Sequence, residues 1–330
     1  MSRGWRSRAS SLRRGASRGT GTAARVHARA RVIRPVAICA IAICAVALGC
    51  GPGADSGRSP GADTAPEPSR AAAVDARRIV SLAPSLTRVL IALGASESVV
   101  GVDRFSAELA EVAEARDLGG LYAPDLEQLV ELRPTLVVGV RSAQQEAFFE
   151  QVRARGTRVE TFRLHSLEQV MQAFERVGGL VGAPEAGRAL ARSVREGLDQ
   201  LSLSTRGRPR PRVALVVDRE PLFIVGGGSF AHALIELAGG ENVFADLRGA
   251  YPRVSLESLA GRAPDVLLET TEPGESASRA ARDYWSRFDF VKRFEPLPRG
   301  DVVLPSPELV RAARLLRDAI HPELREAGPP

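Results

Sequence analysis

Two glutamates of this 330-residue chain occupy the same short motif, 130 positions apart. The motif begins at Asp125 for Glu127 and at Ser255 for Glu257. Asp and Ser are favoured N-cap residues, so each Glu should lie in the first turn of a helix. A proline follows seven positions after each Glu, and an apolar run typical of a buried strand follows the proline. The repetition predicts two similar lobes that each present the same surface carboxylate.

One tyrosine leads into each copy of the motif, Tyr122 into the first and Tyr251 into the second. An aromatic ring offers a flat apolar face and a tyrosine adds a polar tip, so this pair could stack on a planar macrocycle or an aromatic chelator. Either ring could instead pack locally against its own lobe. We favour ligand contact for Tyr251.

A second repeat lies where a strand joins a helix in each half of the chain. Residues 85–99 align with residues 229–243 without a gap, and an apolar strand precedes each segment. A helix amino terminus favours an anionic or carbonyl group, and glycine lets a ligand approach backbone amides. The glycines at 226–228 would also suit a plain tight turn. The candidate cleft residues at the two junctions are Pro84, Ser85, Gly227 and Ser229.

The positive charge of the chain is concentrated at its amino terminus. Residues 1–49 hold ten arginines and no acidic residue, so the formal net charge of +6 becomes −4 without them. A nucleic-acid-binding function therefore loses its electrostatic support. Cys39, Cys44 and Cys50 are the only cysteines of the sequence. The chain after residue 50 thus has no disulfide and no thiolate ligand for a metal.

The amino terminus has the pattern of an export signal. Its basic segment precedes an apolar stretch at 36–48, which is short for a membrane span. We interpret residues 1–49 as a signal peptide and residues 50–76, rich in Gly, Ala, Ser and Pro, as a flexible tether. The four residues ending at Cys50 resemble a bacterial lipobox, which predicts a lipidated Cys50 and a membrane-anchored periplasmic lipoprotein. The alternative is an ordinary signal peptide cut near Gly49.

From residue 77 onward, short β-branched runs alternate with helical patterns. This alternation is typical of an α/β fold with mostly parallel sheets and helices on both faces. Leucine and valine recur at helical spacing from Pro184 to about Leu203, which predicts one helix of about 20 residues and ~30 Å. We therefore predict two Rossmann-like lobes, residues 77–182 and 206–330, joined by one long helix at 183–205.

Six segments carry a more specific signal: 78–87, 94–103, 119–127, 132–138, 239–243 and 251–257. Together they resemble the periplasmic metal-chelate binding proteins of ABC importers, over about residues 77–320. Members of that family carry cobalamin, ferric siderophores or haem between two lobes joined by a rigid helix. The resemblance implies a cleft between the lobes, beyond the carboxyl ends of the strands. It also implies an ABC importer permease as partner, and a metal chelate that is transported rather than held as a cofactor.

The duplicated glutamates acquire a role through this resemblance. Each lobe in the family presents a surface Glu that docks onto arginines of the permease, and Glu127 and Glu257 match those positions. The alternative is that each carboxylate only complements a helix amino terminus, which is worth at most about 1 kcal/mol.

The resemblance favours a corrinoid ligand. Tyr251 matches an aromatic residue that contacts the corrin in cobalamin-binding members, and Phe105 matches another, although core packing would equally explain Phe105. Residues 103–108 lack the usual Asp-Tyr-Pro of those members, and residues 304–308 lack aromatics, so a ferric siderophore or haem is the alternative. We expect contacts to the chelator and no direct metal site. The histidines expected to be structural are His165, His232 and His321.

Two other classes of protein fit the sequence less well. An exported hydrolase would use Ser229 with His232, but no Gly-x-Ser-x-Gly pattern surrounds Ser229. A scaffolding lipoprotein would not need the paired glutamate helices. We therefore predict a monomeric binding protein that is not an enzyme, has no nucleic-acid partner and meets the membrane through its lipid anchor.

Overall fold

The computed structural model describes residues 77–325. The predicted signal peptide at 1–49, the tether at 50–76 and the lipidation site Cys50 lie outside the described residues, as do residues 326–330. Between residues 77 and 325, no helix is both long enough and apolar enough to cross a membrane.

The first lobe is built on a five-stranded parallel sheet. Its elements in chain order are β1 (Ile79–Ser81), α1 (Pro84–Ala92), β2 (Val99–Val102), β3 (Arg116–Asp117), β4 (Gly119–Gly120), β5 (Ala123–Pro124), α2 (Leu126–Glu131), β6 (Leu136–Val140), α3 (Ala143–Ala154), β7 (Arg158–Phe162) and α4 (Leu167–Leu180). The strand order is β3-β2-β1-β6-β7, and β4 and β5 form a separate antiparallel pair.

A long helix follows, and then the second lobe. The elements are α5 (Pro184–Thr205), β8 (Arg212–Arg219), β9 (Leu222–Ile224), α6 (Phe230–Leu237), β10 (Glu241–Asn242), α7 (Leu256–Gly261), β11 (Val266–Thr271), α8 (Glu275–Trp285), β12 (Phe294–Pro298), α9 (Arg299–Val302) and α10 (Leu309–Ile320). Parallel strands run in the order β10-β8-β11-β12, and β9 pairs antiparallel with β8.

Both sheets are covered on both faces. In β1, Ile79 packs into the apolar cluster that contains α1 and α4, whereas Val80 packs into the cluster of α2 and α3. In β8, Val213 and Ala214 divide in the same way between two clusters. The central strands are therefore continuous apolar runs, as expected for parallel sheets buried on both sides.

The two lobes repeat one topology. In each, the first strand lies between the second and third principal strands, so β8, β10, β11 and β12 correspond to β1, β2, β6 and β7. The N-cap side chain of α2 is Asp125 and that of α7 is Ser255, and each accepts a hydrogen bond from the backbone N–H three residues later. Arg133 follows the C-cap of α2 and Ala263 follows that of α7, and both have a φ of +44°. The predicted duplication of this motif is confirmed.

The gapless alignment of residues 85–99 with 229–243 is wrong in register. Helix α6 begins after its N-cap Ser229, whereas α1 begins after Ala83, which places Ser85 second inside the helix. At the other end, Gly94 and Gly239 are the positive-φ residues after each helix, with φ of +71° and +83°. The helices correspond in topology, but α1 has nine residues and α6 has eight.

Helix α5 is buried against both lobes. Its buried residues, such as Ala191 and Leu198, belong to one apolar cluster that also contains α4 of the first lobe and α6 and α10 of the second. The helix approaches α4 closely, because a Cβ at Gly187 would lie 2.7 Å from the carbonyl oxygen of Phe174. The predicted single joining helix is therefore also a shared part of the core.

Candidate ligand-binding cleft

A cavity of about 370 Å³ opens between the two lobes, beyond the carboxyl ends of β1, β6 and β7. In open parallel sheets this edge forms the ligand crevice. The first lobe contributes Leu82, Ala83, Pro84, Ser85, Leu121, Tyr122, Val140, Ser142, Gln145, Leu164 and His165, and the second contributes Ser229, Phe230, Ala250, Tyr251, Val303, Leu304 and Pro305. Five predicted cleft residues therefore line it: Pro84, Ser85, Tyr122, Ser229 and Tyr251.

The two tyrosines reach this cavity from opposite lobes. Tyr122 lies in the turn between β4 and β5 and is 69% exposed, whereas Tyr251 precedes α7 and is 37% exposed. The side chain of Tyr251 is thus partly exposed to solvent. Its surroundings are nevertheless apolar enough that burial raises the pKa of the phenol. A hydrogen bond with the Ser229 side chain lowers the pKa by a smaller amount. The cavity therefore holds a neutral phenol near pH 7.

Two helices begin at the cavity wall. Pro84 occupies the first turn of α1, next to the buried Ser85. Ser229 caps α6, where its Oγ accepts a hydrogen bond from the N–H of Ala231 at 3.1 Å. Because Ser229 also contacts Tyr251, it couples the start of α6 to the aromatic wall of the second lobe.

Gly227 does not line the cavity. Its N–H donates to the carbonyl oxygen of Leu247 at 2.8 Å, so this amide is already bonded within the protein. A Cβ at Gly227 would lie 2.1 Å from the carbonyl oxygen of Ala245, and one at Gly228 would lie 2.0 Å from that of Arg248. The expectation that this glycine opens a backbone amide to ligand is corrected: the glycines let two loops pack backbone to backbone, and the second loop carries Tyr251.

Phe105 is 62% exposed, so it is not a core residue, and it lines a second cavity beside the first. Its loop is held by Asp103, which is 1% exposed. Asp103 Oδ1 accepts from the Phe105 N–H at 3.0 Å, and Oδ2 accepts from the Ser106 hydroxyl at 2.6 Å. The same hydroxyl lies 2.9 Å from Thr87 Oγ1, inside the first lobe. Burial raises the pKa of Asp103, although the Ser106 hydrogen bonds oppose the rise.

His165 and Gln145 are among the cavity residues that sequence reasoning missed. His165 was expected to be structural, yet it is exposed on the cavity wall just after β7. Gln145 is 4% exposed, and its side-chain amide donates to the carbonyl oxygen of Leu121, which fixes the turn that carries Tyr122. Their place in the sequence could have indicated them, because His165 and Gln145 each follow a parallel strand, at the edge of the sheet where a ligand crevice forms.

The other two histidines of the described residues, His232 and His321, contact polar groups of the protein. His232 Nδ1 lies 3.4 Å from the side-chain amide of Asn242, and His321 is 4% exposed with Nε2 3.2 Å from the carbonyl oxygen of Gly239. His232 thus faces Asn242, while Ser229 is engaged by Ala231 and Tyr251. Among residues 77–325, no group of three or more His, Cys, Asp and Glu side chains could hold a metal ion.

Glu127 and Glu257 lie away from the cavity, exposed in the first turns of α2 and α7. Over the described range, neither forms an ion pair, although many other surface carboxylates do. Hydrogen bonds from its own backbone N–H and from Ser255 hold the pKa of Glu257 below its usual range. Each lobe therefore exposes a first-turn carboxylate that is not engaged in an ion pair among the described residues.

Known proteins match this chain along most of the described region. A family model described as periplasmic binding protein matches residues 79–292. The Vitamin B12-binding protein of Salmonella paratyphi A is 29% identical over 245 residues, which span 74% of this chain and 90% of that protein. The crystal structure of the periplasmic vitamin B12 binding protein of Vibrio cholerae matches with a TM-score of 0.65 and 20% identity, over 76% of this chain and 98% of that one. A periplasmic heme binding protein from Pseudomonas aeruginosa matches with a TM-score of 0.67 and 23% identity, over 74% and 93%. At these identities the solved structures show a shared fold, and the predicted two-lobed α/β architecture is confirmed.

Proposed function

Since this chain belongs to the periplasmic binding protein family, we propose that it captures a corrinoid between its lobes and delivers it to the permease of an ABC importer. The protein is a periplasmic binding protein of the type that serves importers of vitamin B12, siderophores or haem, and it is not an enzyme. The observation that carries the corrinoid proposal is the pair of tyrosines, Tyr122 and Tyr251, that face one cavity from opposite lobes.

The residues that line this cavity suit a corrinoid. A flat macrocycle needs broad apolar contact and a few polar groups that fix its orientation. Leu82, Val140 and Leu164 supply apolar wall, and the two tyrosines supply aromatic faces. The curated relative from Salmonella paratyphi A, named as a vitamin B12-binding protein, supports the same ligand class.

Haem is the second candidate, and His165 is the observation that favours it. A histidine on the wall of an interlobe cavity can offer an imidazole nitrogen to the iron of a bound haem. The phenol oxygens of Tyr122 and Tyr251 are further donors in the same cavity. A corrinoid would instead use these side chains for packing and hydrogen bonds.

Calorimetric titration of the purified protein with cobalamin, cobinamide, haem and a ferric siderophore tests the ligand. We expect cobalamin and cobinamide to bind more tightly than the other two. If haem binds more tightly and His165→Ala changes its visible spectrum, haem replaces the corrinoid. If none of the four binds, the proposal fails.

We also propose that the protein acts as a monomer anchored to the membrane by a lipid on Cys50. The support is the lipobox-like sequence and the lack of any later cysteine. Cys50→Ala should move the protein out of the membrane fraction and remove the mass of the lipid, whereas the control Cys44→Ala should change neither. Membrane retention of Cys50→Ala with an unchanged mass would rule the anchor out.

A further inference from the structure

A second chamber extends the cleft on the Phe105 side. Its walls come from both lobes, because Phe105 lies in the first lobe and α9 in the second. The chamber has a volume of about 440 Å³ and shares four residues with the main cavity: Pro84, Leu121, Val303 and Leu304. A ligand wider than the main cavity would therefore enter this chamber with one edge.

The charged groups on the chamber wall are two arginines and one glutamate. Arg88 comes from α1 in the first lobe, Arg299 begins α9 in the second lobe, and Glu272 directly follows β11. Two positive charges thus stand against one negative charge. Each lobe contributes one guanidinium group to the wall.

Each guanidinium has a carboxylate neighbour that leaves part of it free. Arg88 Nη1 lies 3.5 Å from Glu308 Oε1, and Arg299 Nε lies 3.2 Å from Glu272 Oε1. Arg299 Nη1 also lies 3.9 Å from Asp218 Oδ2. The side chain of Glu272 is 72% exposed and that of Asp218 is 52% exposed, so solvent screens their attraction to Arg299.

Both arginines keep a buried donor without a partner. Within the described residues, Nε of Arg88 and Nε of Arg299 are buried and make no hydrogen bond, because the Arg299 Nε is not aligned with the nearby Glu272. Oε2 of Glu308 is also buried without a partner, but Glu308 does not line the chamber. A buried N–H without a partner is unfavourable, so a ligand that brings an acceptor gains from it. An acceptor with a negative charge gains most, because charge-assisted hydrogen bonds are the stronger ones.

An anionic oxygen group fits this set of donors. The planar guanidinium presents its N–H groups as a fork that matches phosphate and carboxylate oxygens, and here one fork comes from each lobe. Resting on the proposed function of the main cavity, we propose that the second chamber binds an anionic oxygen group on the edge of the chelate. In a corrinoid this group is the phosphate of the nucleotide side chain, and in a haem it is a propionate carboxylate.

The corrinoid arm of the test uses two ligands that differ by one group. Cobinamide lacks the nucleotide side chain, and cobinamide phosphate differs from it by a single phosphate. In calorimetric titration, we expect the purified wild-type protein to bind cobinamide phosphate about tenfold more tightly than cobinamide, because hydrogen bonds between charged groups are strong. In Arg299→Gln this advantage should fall to about twofold or less, since the neutral amide has no guanidinium fork.

Two further variants make the result specific. Arg88→Gln removes the guanidinium of the other lobe and should also reduce the phosphate advantage, and it decides the test if thermal melting shows that Arg299→Gln does not fold. The matched control is Arg279→Gln, which changes an exposed arginine of α8 that pairs with Glu275 and does not line the chamber. This control should keep the full phosphate advantage of the wild type.

The outcomes separate this proposal from the proposed function. If cobinamide binds and cobinamide phosphate binds no more tightly, or if the phosphate advantage persists in folded Arg299→Gln and Arg88→Gln, the chamber proposal is overturned and the corrinoid proposal stands. If haem binds and the corrinoids do not, the corrinoid proposal fails. Haem should then bind more tightly than its neutral dimethyl ester, and Arg299→Gln should abolish the difference. Equal binding of haem and its ester would overturn the chamber proposal. If none of these chelates binds, both proposals fail.

Discussion

Tyr251 lines the cavity from the second lobe, and its hydroxyl contacts Ser229 at the start of α6. We expect the ring of Tyr251 to contribute more to ligand affinity than its hydroxyl, because an aromatic side chain in a partly desolvated pocket often dominates binding. We expect Tyr251→Ala to weaken corrinoid binding by about tenfold or more, and Tyr251→Phe to keep most of the affinity. Calorimetric titration measures both. The matched control is Tyr284→Phe, because Tyr284 lies outside the cavity. If Tyr251→Phe weakens binding as much as Tyr251→Ala while Tyr284→Phe does not, the contact would be made by the hydroxyl and not by the ring.

Asp103 gives a pH-dependent prediction. Burial raises its pKa in the folded protein above the ordinary value of 3.8, so the folded state holds this proton more tightly than the unfolded state. The contribution of Asp103 to the free energy of unfolding therefore falls as the pH rises from 3.8 through the raised pKa. We expect the difference in unfolding free energy between wild type and Asp103→Asn to be most favourable to wild type at the acid end. Urea unfolding at several pH values measures it, and a flat or rising difference would contradict the assignment.

Neighbouring glycines in α4 allow a paired test of how closely α5 packs against that helix. A Cβ at Gly178 would lie 2.8 Å from the Cα of Gly187, whereas a Cβ at Gly179 would meet nothing within 4 Å. We expect Gly178→Ala to lower the free energy of unfolding by about 1–3 kcal/mol through overpacking. Gly179→Ala should raise it by up to about 1 kcal/mol, because alanine favours the helix. Equal effects in urea unfolding would show that the two helices separate easily.

Elements with strong local signals were predictable. N-cap residues and a following proline predict α2 and α7, and apolar residues at helical spacing predict α5. Helix α5 ends at Thr205, within the predicted range 183–205. Helix α8 was missed because its buried face is made mostly of small or partly polar side chains around Ala281 and Trp285, which gives a weak apolar signal in the sequence. Strand β12 contains Pro296 and Pro298, which an edge strand tolerates but a pattern search rejects.

The candidate site was predictable only in part, for a different reason. Tyr122 and Tyr251 could be found because the duplication marks them in the sequence. His165 and the Arg88–Glu308 pair could not, since their position depends on how two lobes distant in sequence come together. The role of Gly227 was misjudged because the partner loop that crowds it is not visible in local sequence.

The apolar core that the two lobes share predicts little closure of the lobes when ligand binds. Helix α5 is packed against α4, α6 and α10, so bending it would break backbone hydrogen bonds and open the apolar cluster shared by both lobes. We expect the radius of gyration in solution scattering to change by no more than about 1 Å when ligand saturates the protein. A large compaction would show that the lobes hinge despite this packing.

We expect the paired carboxylates of Glu127 and Glu257 to contact the permease. Glu127 and Glu257 occupy equivalent turns of two lobes that the core holds in a fixed relation, so they can engage two matching sites at once. Losing one partner of a desolvated charge pair typically costs about 2–5 kcal/mol, so Glu127→Ala and Glu257→Ala should each weaken association with the permease, and the double variant most. Ligand affinity should stay within about twofold of wild type, because neither residue lines the cavity.

The matched controls are Glu146→Ala and Glu275→Ala, first-turn acids of α3 and α8 that already pair with arginines of their own helices. Transport assays in reconstituted vesicles measure the effect. Full transport by the double variant would refute docking through these residues, and a parallel loss of ligand affinity would place them in the binding site instead.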